Sequence, residues 1–239
     1  MYYNFSLNSY EFNDVFPINL IKDINQLYCF TILTNIQFNC ILVKMATVDT
    51  KDSALIIIDM QNDFVLPTGS LYINGAPEIV EPISKLLADP KFKLRVFSQD
   101  WHPWEHVSFK DQGGLFAPHC IQNTPGAEIV DELRKYNNLA QTGIKKGYTY
   151  QPDSYSVFMS MDKKVSTGLN EILRTENINT LFICGVATDY CVYYSVLDAL
   201  RLGYKVYLIL NLTRPIGDPQ PQIADMIRSG AIIINYPFN

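Results

Sequence analysis

Apolar and polar positions alternate in regular segments from residue 51 onward. Residues 54–58 form a continuous apolar run that ends at Asp59, a pattern typical of a parallel strand buried on both faces. Similar patterns predict four further strands, at residues 93–98, 181–184, 205–210 and 231–234. Apolar residues at helical spacing predict helices at residues 78–87 and 221–229, and another that ends at about Leu202.

The alternation of strands and helices predicts the fold class. It indicates an α/β protein with three α/β/α layers and a central, mainly parallel sheet, in which right-handed crossovers join the strands as in Rossmann-like folds. In such folds ligands bind at the carboxyl ends of the strands. Asp59, Asp100 and the turn before Cys191 all fall at predicted strand ends, so we expect the functional site there.

Residues 1–50 lack this regularity. They are rich in Asn, Tyr, Phe and Ile and carry few charges, which predicts an N-terminal extension outside an α/β domain of residues 51–239. The apolar segment 27–43 is interrupted by polar residues, whereas a membrane span needs about 20 mostly apolar residues. A weak signal anchor is the alternative interpretation of this segment.

Composition excludes several classes of protein. A chain of 239 residues suffices for one domain with a buried core. The net charge of -5 argues against a nucleic-acid partner, which would require clustered Lys and Arg, and no membrane partner is expected. The five cysteines are odd in number and form no CxxC pair, which favours a reducing compartment. We therefore expect a cytoplasmic protein, with the nucleus as an alternative location.

Cys191 follows a predicted strand and a tight turn, and enters the first turn of a helix. A thiol at that position feels the positive end of the helix dipole and nearby backbone N–H groups, which favour the thiolate. The same N–H groups can stabilise an oxyanion on a substrate carbonyl. The pattern favours a cysteine nucleophile, with a buried core cysteine as the alternative.

A cysteine nucleophile needs a base, and Asp59 is the candidate. Its place after an apolar strand would raise its pKa toward that of a useful base. A helix N-cap or loop role is the alternative for Asp59, and Asp63 is a competing base. Lys146 would hold the thiol as thiolate and balance the carboxylate, although most lysines in such sequences are solvated.

The three histidines of the chain lie within 18 residues, beside Asp100 and Glu105. Asp100, His102 and His119 would give a metal one carboxylate and two imidazoles, and would leave positions open for water or substrate, as in catalytic sites. His106 and Glu105 would either add a ligand or orient one.

Five segments together resemble the isochorismatase-like cysteine hydrolases, in particular their nicotinamidase/pyrazinamidase branch. The resemblance spans about residues 53–236. The segments are Leu55-Ile-Ile-Ile-Asp59-Met-Gln-Asn-Asp63-Phe64, Ser98-Gln-Asp100-Trp-His102-Pro, Pro118-His119-Cys-Ile-Gln, Lys146-Gly147 with Asp153-Ser-Tyr155-Ser-Val-Phe158, and Gly185-Val-Ala-Thr-Asp-Tyr-Cys191.

This resemblance implies a role for each matching residue. The catalytic triad would be Asp59, Lys146 and Cys191. The ligands of one divalent metal ion, with zinc expected first and iron or manganese as alternatives, would be Asp100, His102 and His119. The Val186–Ala187 peptide bond would be cis, and the N–H groups of Ala187 and Cys191 would face the oxyanion. Three aromatic side chains would form walls for a flat ring, with core packing as their alternative role: Phe64, Trp101 and Tyr155.

The implied activity is hydrolysis of a linear C–N bond. Nicotinamide would be converted through a cysteine thioester to nicotinate and ammonia, feeding NAD salvage, and the metal would bind the pyridine nitrogen. A homo-oligomer is an open alternative to a monomer. The chain departs from the family pattern at residues 211–215 and at Phe116-Ala117, which affects local packing. The competing hypotheses are an amidase of the same fold with another small amide as substrate, and a non-enzymatic metal-binding protein.

Overall fold

The computed structural model describes residues 29–30, 41–42, 50, 52–136 and 142–238. The chain divides into two units, residues 1–46 and 47–239. In the first unit, strand β1 (Cys29–Phe30) pairs antiparallel with strand β2 (Ile41–Leu42). The predicted extension, residues 1–50, otherwise lies almost entirely outside the described residues, so its boundary stays a prediction.

A six-stranded sheet forms the centre of the second unit. Its strand order is β5-β4-β3-β6-β7-β8, and every neighbouring pair in it is parallel. The strands are β3 (Ser53–Ile58), β4 (Leu94–Asp100), β5 (Thr142–Lys146), β6 (Thr180–Val186), β7 (Lys205–Arg214) and β8 (Ile232–Ile234). The predicted parallel α/β architecture is therefore confirmed.

Helices cover both faces of this sheet. They are α1 (Asn62–Val65), α2 (Val80–Ala88), α3 (Asp131–Arg134), α4 (Leu169–Thr175), α5 (Tyr193–Arg201) and α6 (Gln220–Arg228). Short 3₁₀ turns lie between them, and one π-helical turn, Thr188–Val192, leads into α5. Among the described residues, no helix reaches the length and apolarity that a membrane crossing requires.

Strand β3, in the middle of the sheet, separates two hydrophobic cores. All six of its residues are buried, and successive side chains of a strand point to opposite faces. Leu55 and Ile57 pack in one core with apolar residues of α1, α2 and α3, whereas Ile56 packs in the other core with residues of α4, α5 and α6. This division produces the predicted three layers.

The predicted strands and helices are all present, with shifted ends. Strand β4 runs on to Asp100, and β7 continues four residues beyond the predicted end, to Arg214. In the second unit the fold adds strand β5 and helices α1, α3 and α4, which the hydrophobic pattern did not predict. Since β5, β4, β3 and β6 are adjacent and parallel, their carboxyl ends meet at one edge of the sheet.

Glycine is required where β6 passes β3. Gly185 has φ +112°, and a Cβ atom there would lie 2.1 Å from the backbone oxygen of Ile58.

We predict that Gly185→Ala lowers the free energy of unfolding by about 2 kcal/mol or more, because the backbone would have to move. Gly143→Ala on β5 is the matched control: a Cβ there meets no atom within 4 Å, and its effect should stay within about 0.5 kcal/mol. Equal denaturation midpoints for the two variants would contradict this close approach.

Candidate active site and metal centre

Lys146 lies at the centre of the groups that gather at the sheet edge. It ends β5 and is fully buried. Its Nζ lies 2.9 Å from Asp59 Oδ2 and 3.3 Å from Cys191 Sγ, and it donates a hydrogen bond to Asp100 Oδ1. The structure thus brings the three predicted triad residues into contact and joins them to the first predicted metal ligand.

Asp59 is held in place by its neighbours on the sheet. Its φ is +48°, a left-handed conformation that Asp tolerates better than most residues. Ser98 Oγ, on β4, donates to Asp59 Oδ1 at 2.7 Å and accepts the Asp59 N–H at 3.2 Å. Asp63, the competing base, instead accepts the backbone N–H groups of Cys120 and Ser70 at 2.7 and 3.2 Å. Asp59 is therefore the carboxylate that faces the lysine and the thiol.

Burial dominates the protonation of this cluster. It raises the pKa of Asp59, against the lowering effect of Lys146. It also raises the pKa of the Cys191 thiol well above its ordinary value, although Lys146 acts in the opposite direction. Burial therefore opposes the thiolate that the helix start is expected to favour, because desolvation acts against the favourable charges. The Cys191 thiol needs a base.

For Lys146 and Asp100, the neighbouring charges outweigh the effect of burial on the pKa. Burial lowers the pKa of Lys146, but Asp100 and Asp59 raise it more, so it lies well above its ordinary value. Burial acts to raise the pKa of Asp100, but Lys146 and His102 lower it more, so that this pKa lies far below its ordinary value. The site at rest therefore holds an ammonium between carboxylates.

Asp100, His102 and His119 form a compact group of buried donors. Asp100 Oδ2 lies 3.5 Å from His102 Nε2 and 3.8 Å from His119 Nε2. The other ring nitrogens face backbone carbonyls: His102 Nδ1 lies 2.9 Å from Gly147 O, and His119 Nδ1 lies 2.8 Å from Ala117 O. A carbonyl only accepts, so the Nδ1 atom carries the proton of each neutral ring, and the Nε2 atoms that face Asp100 are the ones available to a metal. These three residues fit a divalent metal ion.

Backbone geometry supports this donor set. Gln61 donates to the Asp100 carbonyl at 2.7 Å and accepts the Asp100 N–H at 2.8 Å, which fixes the end of β4. Gly147 has φ +60°, and a Cβ there would lie 2.4 Å from His102 Cε1. The sequence interpretation had missed both positions, since only long-range contacts explain them.

The electrostatic surroundings of the histidines differ. Burial lowers the pKa of His119 to about 4 and that of His106 to about 3. For His102, burial acts downward, but the Asp100 carboxylate raises the pKa above its ordinary value. His106 is buried and stacks on His102, with ring centroids 3.9 Å apart, whereas Glu105 is exposed. Among the described residues the compact donor group around Asp100 includes neither of them, although His106 forms a second possible donor group with His102 and Asp153.

A pocket opens onto this cluster. The thiol of Cys191, Ala187 and the metal-binding candidates Asp100, His102 and His119 all line it. The Val186–Ala187 peptide bond is cis, and Val186 itself is buried in the core beneath. The nucleophile and the candidate metal ligands therefore face one common space.

Comparisons with known proteins match this arrangement. The family model described as Isochorismatase domain matches residues 53–222. The chain belongs to the isochorismatase family.

The proteins that this chain is similar to include nicotinamidases. Nicotinamidase of Saccharomyces cerevisiae is 33% identical over 203 residues, which cover 73% of this chain and 93% of the yeast protein. The crystal structure of PnC1 from L. infantum in complex with nicotinate has a TM-score of 0.76 at 36% identity, covering 80% of this chain and 96% of that chain. The structure of Pyrococcus horikoshii pyrazinamidase in complex with zinc has a TM-score of 0.67 at 35% identity, covering 77% and 99%.

The pocket walls of this isochorismatase-family chain differ in part from the predicted ones. Phe64 and Tyr155 line the pocket, as predicted. Trp101 does not line the pocket. Its ring packs against the edge of a core, and Lys145 Nζ lies over the ring, 3.3 Å from its centroid. Trp101 lies between Asp100 and His102, which face the pocket, so its own side chain points the other way.

Loops and the π-helical turn supply the walls that the sequence analysis missed. These residues are Leu71, Ile73, Phe116, Tyr190 and Ile216. Ile216 follows β7, where the chain departs from the family pattern. Buried Asp189 accepts the N–H groups of Ile216 and Gly217 at 3.0 and 2.7 Å, and so ties this loop to the turn that carries Cys191. No periodic pattern marks such residues, because loops and not regular elements carry them.

Proposed function

We propose that this protein hydrolyses nicotinamide to nicotinate and ammonia through a cysteine thioester, and so feeds NAD salvage. The observation that carries the proposal is the common pocket of the thiol, its lysine and carboxylate partners, and a metal-binding donor set. The pocket combines apolar and aromatic walls with a few polar groups, as small-molecule sites do. Similarity to nicotinamidases and to a nicotinate complex supports this substrate.

The reaction begins with proton transfer from Cys191 to Asp59. The raised pKa of Asp59 makes it a better acceptor than an ordinary carboxylate, and the Lys146 ammonium, 3.3 Å from Sγ, stabilises the thiolate that forms. The thiolate attacks the carboxamide carbon, and the backbone N–H groups of Ala187 and Cys191 stabilise the oxyanion. Asp59 then returns its proton to the leaving ammonia.

The second half of the reaction uses the same base. Asp59 takes a proton from a water molecule, which attacks the thioester and releases nicotinate. Lys146 remains an ammonium throughout, because the two carboxylates keep its pKa well above the ordinary value. Asp59 therefore carries the proton in both halves of the reaction, first between Cys191 and the leaving ammonia and then from the attacking water, while the C–S bond forms and breaks.

A divalent metal would be held by Asp100, His102 and His119, and it would supply a binding point for the pyridine nitrogen. A ring bound at that point would be oriented so that the carboxamide meets the Cys191 thiol. One carboxylate and two imidazoles suit zinc, and the zinc complex of a related pyrazinamidase supports that choice. Iron and manganese accept the same donors and are the alternatives that metal analysis distinguishes.

Cys191 and Cys184 provide a matched pair for testing the nucleophile. Both are buried, but only Cys191 contacts Lys146. We predict that Cys191→Ala abolishes ammonia release from nicotinamide while the fold and the metal content persist. Cys184→Ala should keep turnover at a packing cost of about 1 kcal/mol. Ammonia release by the Cys191→Ala protein would overturn the assignment.

Ring recognition separates this function from the hydrolysis of another amide. Benzamide carries the same carboxamide as nicotinamide without the ring nitrogen. We predict that kcat/KM for benzamide is lower by about 100-fold, because loss of the oriented complex costs that much, and that pyrazinamide remains a substrate. Treatment with a chelator should lower nicotinamide turnover and leave any slow benzamide reaction unchanged. Equal cleavage of nicotinamide and benzamide by the metal-loaded protein would favour the other amidase.

A further inference from the structure

His106 differs from the other two histidines in its hydrogen bonds. Its Nδ1 lies 3.3 Å from the backbone nitrogen of Ser108, which donates to it, and 2.7 Å from Ser108 Oγ. A backbone amide only donates, so Nδ1 of His106 is an acceptor. The proton of the neutral ring is therefore on Nε2, the reverse of the arrangement in His102 and His119.

The Nε2 atom of His106 is a buried polar atom without a hydrogen-bond partner among the described residues. The group it faces is the Asp153 carboxylate, whose Oδ1 lies 3.9 Å away. This separation exceeds a hydrogen bond, and a rotation of the Asp153 side chain would be needed to close it. A metal at Nε2 would have to displace this proton, and the remaining proton on Nδ1 would then prevent Nδ1 from accepting the Ser108 N–H.

Asp153 begins a segment that contacts both halves of the site. The next residue, Ser154, accepts a hydrogen bond from Lys146 Nζ at 3.2 Å through its carbonyl oxygen. Tyr155 lines the pocket. The His106 ring, which faces Asp153 through Nε2, also stacks on the ring of His102. His106 therefore lies between a candidate metal ligand and the segment that holds the lysine.

We propose that His106 is a positioning residue and not a metal ligand: its Nε2–H is directed to the Asp153 carboxylate and holds residues 153–155 against Lys146 and the pocket. The inference rests on the proposed function only for its kinetic readout. Its structural part concerns which ring nitrogen carries a proton, and that can be measured without turnover.

The first test is the proton position in the zinc-loaded full chain. The chain has three histidines, so long-range ¹H–¹⁵N spectra can be assigned with one variant for each. We expect the proton of His106 on Nε2 and those of His102 and His119 on Nδ1. A proton on Nδ1 of His106, with Nε2 shifted like the metal-bound nitrogens, would overturn the proposal.

The second test uses glutamine, whose side-chain amide places an N–H near the position of imidazole Nε2. In chelator competition with Zn²⁺, His119→Gln should lower affinity by about 100-fold or more, and His106→Gln by less than about threefold. His106→Leu, which removes the donor, should lower kcat for nicotinamide by about tenfold or more, and His106→Gln should restore most of it. Loss of zinc in His106→Gln equal to that in His119→Gln would overturn the proposal.

These readouts also separate the proposal from the proposed function. If the natural protein did not release ammonia from nicotinamide, the proton position and the zinc affinities would still decide the role of His106. If turnover is present and the leucine and glutamine variants are equally slow, the donor at Nε2 has no positioning role and the proposal fails.

Discussion

A buried ammonium between two buried carboxylates is the interaction on which the site depends. Removing Lys146, Asp59 and Asp100 from water carries a large desolvation cost, which only close and well-directed contacts offset. Lys146 makes such contacts with both carboxylates and with the thiol. One positive charge holds the pKa of Asp100 far below its ordinary value and opposes the burial that raises the pKa of Asp59. The same charge is in place to stabilise the thiolate when the proton leaves.

The order of the strands makes this cluster possible. Asp59 follows β3, Asp100 ends β4 and Lys146 ends β5, and these three strands are consecutive in the sheet. Cys191 comes from the turn after β6, on the other side of β3. Parallel pairing therefore sets the ends of four strands side by side, and one lysine can reach across three of them.

Much of this arrangement could be predicted from the sequence, for a physical reason. Asp59 and Asp100 each follow an apolar run, and polar residues directly after buried parallel strands mark the edge where ligands bind. Strand β5 was missed because it lies at the sheet edge and reads Thr-Gly-Ile-Lys-Lys, in which buried Lys146 alternates with exposed Lys145. Nothing local tells which of two adjacent lysines is buried.

The features that could not be predicted depend on the environment in three dimensions. The raised pKa of Cys191 follows from full burial, which outweighs the helix start in its local sequence. Leu71 and Ile216 reach the pocket from loops far apart in the chain, and the Asp189 contacts that hold one of these loops span nearly thirty residues of sequence. Functional residues at strand ends can be predicted from the sequence, whereas pocket walls built from loops cannot.

The free energy of unfolding of Lys146→Met, compared with that of Lys145→Met, tests the central role of the ammonium most directly. The two residues are adjacent, one buried among carboxylates and the other exposed over Trp101. The account predicts a loss of about 3–5 kcal/mol for Lys146→Met, because two buried carboxylates lose their partner. For Lys145→Met it predicts a loss of about 1 kcal/mol or less. Equal losses in the two variants would show that the buried charge does not organise the site.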